Sequence, residues 1–186
     1  MASRALAHAP AGKLSIAGHS MGGYVALEMM RQAPERIERL ALLCTNAQPD
    51  PPESTQNRLR LMELAEKDFG AVVPALMPKL LSHAHRTDAS MTATVERMAR
   101  AVGMEAFMRQ ERAIIARIDS RPHLAAIRCP TLVVAARLDA IMPVPWLEEI
   151  ASGIPGARLA IVEESGHIPT LEQPGETTAL LADWLS

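Results

Sequence analysis

"KLSIAGHSMGGYVALEMM" occupies residues 13–30 and holds the feature that decides the fold. Its first six residues form a short, mostly apolar run bounded by glycines, which favours a buried strand. The residues after Gly22 repeat apolar side chains at helical spacing as far as Pro34, which ends the pattern. One serine, Ser20, is therefore predicted to lie in a sharp turn between a strand and a helix.

The rest of the chain alternates strand and helix patterns, with one long helical interruption. Two nearly continuous apolar runs, at 37–45 and 130–139, are typical of parallel strands that helices cover on both faces. A last strand pattern begins at 157, and helix patterns follow each of the last two strands. Residues 55–126 instead repeat apolar side chains three and four apart throughout. We predict a parallel α/β sheet that carries an all-helical insertion.

Composition and charge limit the classes of partner. The 186 residues are 48% apolar with a formal net charge of -2, which suits one folded domain. Lysine and arginine are scattered singly, so we expect neither nucleic acid nor a membrane surface as a partner. The two cysteines, Cys44 and Cys129, border apolar runs without a nearby second cysteine. We expect both to be buried as free thiols, in a cytoplasmic protein.

The serine turn has the chemistry of a nucleophile. Gly18 and Gly22 flank it in a G-x-S-x-G pattern, so that the backbone can turn tightly without Cβ clashes. Such a turn lifts the Ser20 hydroxyl out of the sheet. The backbone N–H of Met21, at the start of the helix, then points to where negative charge develops on an attacked carbonyl.

A serine nucleophile needs an imidazole that takes its proton and a carboxylate that orients the imidazole. His167 follows the last strand pattern, and Asp139 ends the strand pattern before it. Parallel strands place such residues at the same edge of a sheet. Asp139 is the preferred carboxylate, with Asp50 and Asp119 as rivals in that order. The residues alone predict a Ser20, Asp139 and His167 constellation.

At this point the chain resembles the α/β-hydrolase family, in particular its single-domain members with a helical cap. The anchors are GHSMGG, PTLVV with Asp139 and the following Met-Pro, and SGH with LEQP. The resemblance implies Ser20 as nucleophile, His167 as general base, Asp139 as the acid that orients it, and Met21 as oxyanion donor. It implies no cofactor and no metal. A serine at position 20 argues against family members that use an aspartate nucleophile.

The resemblance also implies an organisation and a reaction. Residues 1–48 and 127–186 would form the two parts of the α/β core, and residues 49–126 the cap over the serine. The reaction would be hydrolysis of a small ester, lactone or related carbonyl compound through an acyl-enzyme. Carbon–carbon bond hydrolysis and perhydrolysis use the same triad in this family and stay open.

One departure from the family concerns what precedes the serine. In relatives the serine turn follows the fifth strand, whereas here it follows the first, so four N-terminal strands are expected to be absent from the three-layer fold. The strand at 13–18 would then have an open edge that could pair with a second copy of the chain. A second oxyanion donor would also be missing. A truncated chain without activity of its own is therefore the alternative.

Several other side chains are expected to have structural rather than functional roles. His19 is expected to pack, and His83 and His85, two apart on a helix, do not favour a metal site. Arg109 and Arg112 are expected on a solvated helix face, with a substrate carboxylate as the lesser alternative. Six methionines of the insertion are expected mainly in its core, with one or two lining an apolar pocket: Met62, Met77, Met91, Met98, Met104 and Met108.

Overall fold

The computed structural model describes residues 1–186. Four strands form its sheet: β1 (Leu14–His19), β2 (Ile37–Leu43), β3 (Thr131–Ala136) and β4 (Arg158–Val162). The helices around them are α1 (Ala2–His8), α2 (Met21–Gln32), α3 (Pro52–Asp68), α4 (Val72–Leu80), α5 (Ala89–Val102), α6 (Met104–Ile115), α7 (Arg121–Leu124), α8 (Val144–Gly153), α9 (Pro169–Glu172) and α10 (Pro174–Leu185). Short 3-10 turns cover Pro34–Arg36 and Phe69–Ala71.

The sheet is fully parallel, in the order β1-β2-β3-β4. Successive side chains of a strand point to opposite faces, so each strand contributes to two cores. Leu40 and Leu42 of β2 pack in the larger core with α1, α2 and α8. Ala41 and Leu43 pack in a smaller core against Trp184 of α10. Both faces are thus covered, which is why β2 and β3 are nearly all apolar.

β1 is an edge strand that pairs with β2 alone. Its side chains are only half-buried or exposed, apart from the buried Gly18. The open edge expected from the sequence is therefore present. Ser20 follows directly after this strand, so the edge lies next to the serine turn.

The region between β2 and β3 is helical, as its periodicity predicts. Helices α3, α4 and α6 form a separate small core, which holds Met62, Ala65, Val72 and Met108. We call residues 52–115 the helical segment. None of its helices, nor any other in the chain, combines the length and the apolar character that a membrane crossing requires.

Three local expectations need correction. Helix α4 ends at Leu80, so His83 and His85 lie in a turn rather than on a helix. Cys44 is buried, but Cys129 is only half-buried because it lies in the loop before β3. Of the six methionines, only Met62 and Met108 are buried, and two are largely exposed: Met98 at 56% and Met104 at 41%. Helical periodicity predicts that a helix has an apolar face, but it does not predict which other element packs against that face.

Candidate active site

The serine turn carries backbone strain at the serine itself. Ser20 has a φ of 51°, in a region that side chains rarely adopt, and its hydroxyl does not cap α2. Gly18 and Gly23 serve close packing rather than a positive φ, whereas a Cβ on Gly22 would meet no atom within 4 Å, contrary to the expectation that it avoids a clash. A Cβ on Gly18 would collide with the backbone of Gly22, and one on Gly23 would lie 2.5 Å from the hydroxyl of Thr45. The Ser20 hydroxyl is left free for another partner.

That partner is His167, at the end of the loop after β4. The Ser20 hydroxyl lies 2.8 Å from His167 Nε2, and His167 Nδ1 lies 2.8 Å from Asp139 Oδ2. An ionised carboxylate can only accept, so Nδ1 carries the proton and Nε2 is free to accept from the serine. Both Asp139 and His167 are buried, at 7% and 3% exposure. The structure thus brings the three predicted side chains into one chain of hydrogen bonds.

The orientation of Asp139 is fixed by its own loop. Its second oxygen, Oδ1, accepts from the backbone N–H groups of Ile141 at 2.7 Å and Met142 at 2.9 Å. Three hydrogen bonds therefore hold the buried carboxylate, two on Oδ1 and one on Oδ2. An aspartate held in this way can orient an imidazole without losing its own position.

The two rival carboxylates lie elsewhere. Asp50 lies next to α3, where it accepts from Arg58 at 3.2 Å, and it also accepts from Arg117 at 2.6 Å. Burial opposes its ionisation, but hydrogen bonds from Arg117 and Thr55 hold the pKa of Asp50 below its usual value. Asp119 is bound by Arg121 at the surface. Neither has a hydrogen bond to His167.

His19 has a specific contact that its sequence position does not indicate. Its Nε2 donates to the backbone carbonyl of His167 at 2.6 Å, and the two rings lie 5.0 Å apart. Burial, and then repulsion by His167, lower the pKa of His19 from 6.5 to about 4. His19 is therefore neutral near pH 7 and holds the backbone of His167.

A buried glutamate holds the same loop from the other side. Glu172 Oε1 accepts from the N–H of Gly166 at 2.9 Å, and Oε2 accepts from the N–H of Ser82 at 2.8 Å. His85 Nδ1 lies 3.0 Å from Oε2. The N–H of His167 itself donates to the Leu80 carbonyl at 3.0 Å. The histidine loop and the end of α4 are thus joined through one carboxylate.

Gly166 permits this close approach. A Cβ at this position would lie 2.6 Å from the backbone nitrogen of Ser82 and 3.0 Å from Glu172 Oε1. Real Cβ atoms do not come so near to backbone atoms. The glycine before His167 is therefore a steric requirement of the junction between the loop and the helical segment.

A cavity of about 270 Å³ lies in front of Ser20 and His167. We call it the serine cavity. Its far walls come from α3, α4 and α6, and include Arg58, Leu76 and Lys79. Arg58 is neutralised by Asp50 and by Glu111, whereas Lys79 has no ion pair. Arg109 and Arg112 lie on an exposed face of α6 and do not line this cavity.

The sequence profile described as the alpha/beta hydrolase family matches residues 2–180, which is nearly the entire chain. The chain belongs to the alpha/beta hydrolase family.

Solved structures of alpha/beta hydrolases superpose closely on it. A thermophilic esterase from Thermogutta terrifontis, solved with malate bound, has a TM-score of 0.87 and 32% identity, over 94% of this chain and 65% of that one. An enol-lactonase from Burkholderia xenovorans LB400 has a TM-score of 0.84 and 26% identity, over 94% of this chain and 66% of that one. Among curated sequences, the pimeloyl-[acyl-carrier protein] methyl ester esterase of Aromatoleum aromaticum is 26% identical, over 90% of this chain and 72% of its own length.

The alpha/beta hydrolase chain described here is shorter than such relatives. It spans 64%, 58% and 66% of the length of three curated relatives, provisionally named carbamate hydrolases, from Serratia proteamaculans, Azorhizobium caulinodans and Pseudomonas savastanoi. What the whole protein acts on is therefore a matter for proposal.

Sequence reasoning missed Glu172 and the contact of His19. Glu172 belongs to a short motif, LEQP, that signals the family without revealing a buried carboxylate. Its partners lie 90 and 6 residues away, so no local pattern connects them. A glutamate within a few residues of the histidine, in an otherwise apolar stretch, was the one available signal.

Proposed function

We propose that this alpha/beta hydrolase chain is a serine hydrolase that cleaves a small ester, lactone or related carbonyl compound. The observation that carries the proposal is the continuous hydrogen-bonded chain from the Ser20 hydroxyl through His167 to Asp139. Its relatives, named esterase, methyl ester esterase and enol-lactonase, support a carbonyl substrate of this class.

The geometry suits a two-step reaction. His167 Nε2 accepts the hydroxyl proton as Ser20 Oγ attacks the carbonyl carbon, and the C–O π pair moves to oxygen. The imidazolium then gives its proton to the leaving alkoxide as the tetrahedral intermediate collapses to an acyl-enzyme. Water repeats the sequence, with His167 as base and then as acid, and releases the carboxylic acid and free Ser20. Asp139 stabilises the imidazolium at both stages.

The oxyanion would be bound at the start of α2. Met21 is the first residue of that helix, so its N–H has no acceptor within the helix. The positive end of the helix dipole adds to this donor. A donor of this kind contributes roughly 3 kcal/mol to lowering the barrier in serine hydrolases.

Residues 49–126, which include the helical segment and α7, are proposed as the cap. Residues 49–126 contain all of α3 to α7, and side chains of α3, α4 and α6 form the far walls of the serine cavity. A substrate bound against Ser20 would therefore contact the segment on its other side.

The proposal is tested with purified chain, a fluorophosphonate probe and p-nitrophenyl acetate. We expect the probe on Ser20, located by mass spectrometry, and ester turnover that falls by roughly 10⁴-fold or more in Ser20→Ala and Asp139→Asn. Asp50→Asn is the matched control, since Asp50 is a carboxylate of the same type that does not contact His167. Labelling elsewhere, or turnover that survives Ser20→Ala, contradicts the proposal.

A second candidate is a chain that forms the triad without catalysing a reaction by itself. The observation in its favour is the open edge of β1, whose last residue precedes Ser20. The same experiment separates the two candidates. A folded chain that takes no probe and turns over no ester supports the second.

A further inference from the structure

A second cavity of about 270 Å³ lies within the helical segment, between α4, α5 and α6. Eleven of its twelve lining side chains are apolar, and Gln110 is the exception. No charged side chain lines it, so it cannot bind a polar group by ion pairing. We call it the apolar cavity.

The apolar cavity adjoins the serine cavity. Leu76 and Leu80 of α4 line both of them. Ile168, which directly follows His167, also lines the apolar cavity. Its inner end therefore lies next to the residues that would perform the reaction, separated from them by two leucine side chains that can change rotamer.

The outer end of the apolar cavity opens to solvent along α5. Met98 and Val102 line it and are 56% and 46% exposed. Helix α5 buries only Val95 of its fourteen residues. Apolar side chains that border an apolar cavity and remain open to water are typical of a ligand site. An unbranched methionine adapts to occupants of different shapes.

We propose that the apolar cavity binds the aliphatic chain of the substrate, and that this chain passes from the serine cavity between Leu76 and Leu80. This rests on the proposed hydrolase function, because it is continuity with the serine cavity that selects a substrate chain as occupant. The substrate class is then an ester whose acyl part has about eight or more carbons. Short acyl groups occupy the serine cavity alone, so the apolar cavity adds nothing to their binding free energy.

Binding is tested first, without turnover, by calorimetric titration of Ser20→Ala protein with decanoate and butyrate. Each buried methylene strengthens binding roughly fourfold, so burial of three to four of the six additional methylenes of decanoate would already make it bind roughly 100-fold more tightly than butyrate. Ala99 lines the cavity, and Ala99→Trp fills it. This variant should weaken decanoate binding by roughly 15-fold, equal to two methylenes, and leave butyrate unchanged.

Two further variants keep the result independent of misfolding. Ala101→Trp places the same indole on an exposed position of α5 that does not line the cavity, and should leave decanoate binding unchanged. Val102→Glu puts a charge at the outer rim, and should weaken decanoate but not butyrate. Equal decanoate affinity in all variants, or no preference over butyrate, overturns the proposal.

Hydrolysis then separates this proposal from the hydrolase function. With Ser20 present, kcat/KM for p-nitrophenyl decanoate should exceed that for the butyrate ester, and Ala99→Trp should reduce this advantage by roughly 15-fold. If decanoate binds as expected while neither ester is cleaved, the hydrolase function fails and the binding site stands. If Ala99→Trp only turns a dimer into a monomer in sedimentation, the cavity is an interface between copies and the proposal is wrong.

Discussion

The sheet and the helical segment differ sharply in how they bury side chains. Five of the seven residues of β2 and all six of β3 are buried, whereas the fourteen-residue α5 buries one. The sheet is therefore held rigidly by its own packing. Ser20, Asp139 and His167 follow its strands, so the sheet also holds these side chains in place. The helical segment leaves apolar side chains uncovered, which suits a surface that binds ligand.

The largest expected effect tests this difference in packing directly. Leu132 of β3 is 1% exposed, whereas Leu64 of α3 is half-buried beside the small core. We expect Leu132→Ala to lower the free energy of unfolding by about 3 kcal/mol and Leu64→Ala by about 1 kcal/mol. Urea unfolding measures both. Equal losses would mean that the two regions are packed alike.

The second effect concerns the junction of the two regions. Glu172 offers an oxygen to each of two backbone N–H groups, and an amide would place an NH₂ against one of them. We expect Glu172→Gln to destabilise the chain by about 2 kcal/mol and to lower kcat more than it raises KM. Glu176→Gln, on an exposed position of α10, is the control. An unchanged melting temperature would show that the junction does not need the carboxylate.

The third effect concerns pH on the sheet side of the junction. The pKa of His19 is about 4 in the folded chain, below its ordinary 6.5, so the unfolded chain binds a proton first as pH falls. Its contribution to the free energy of unfolding is complete above pH 6.5 and is lost as the pH falls from 6.5 to 4. His19→Gln should flatten this part of the stability profile, and His8→Gln, at an exposed position, should not. Parallel profiles would contradict the buried, neutral state.

The smallest effect concerns strain at the serine. Glycine adopts the φ of 51° at position 20 without a steric cost, whereas alanine, like serine, adopts it at a cost because of its Cβ. We expect Ser20→Gly to be more stable than Ser20→Ala by about 1 kcal/mol, although both are inactive. Thermal unfolding compares the pair. The reverse order would show that the turn holds no strain for glycine to relieve.

The sequence predicts the sheet better than it predicts the helical segment. Apolar runs locate the ends of β2 and β3 to within three residues, because strands buried on both faces must be apolar. G-x-S-x-G and the order of Ser20, Asp139 and His167 identify which residues meet. Asp50 could be separated from Asp139 only by the structure, since its partner Arg117 lies 67 residues further on.

Other features depend on contacts that no periodicity encodes. The sequence places six methionines on helices, but not which of them, such as Met98, would lack a covering element. The Glu172 junction joins residues separated by up to 90 positions. Strain at Ser20 is visible only as a dihedral angle. These features depend on contacts between elements, and the pattern of each single element does not contain them.

The hydrogen bond from His167 N–H to the Leu80 carbonyl has a dynamic consequence. Movement of the end of helix α4 would break this bond or displace His167, and Glu172 joins Ser82 to the same loop by hydrogen bonds. We therefore expect opening of the helical segment to begin in α5, which buries only Val95. In hydrogen exchange, the amides of Ser82 and His167 would be among the slowest of the region, and those of α5 among the fastest.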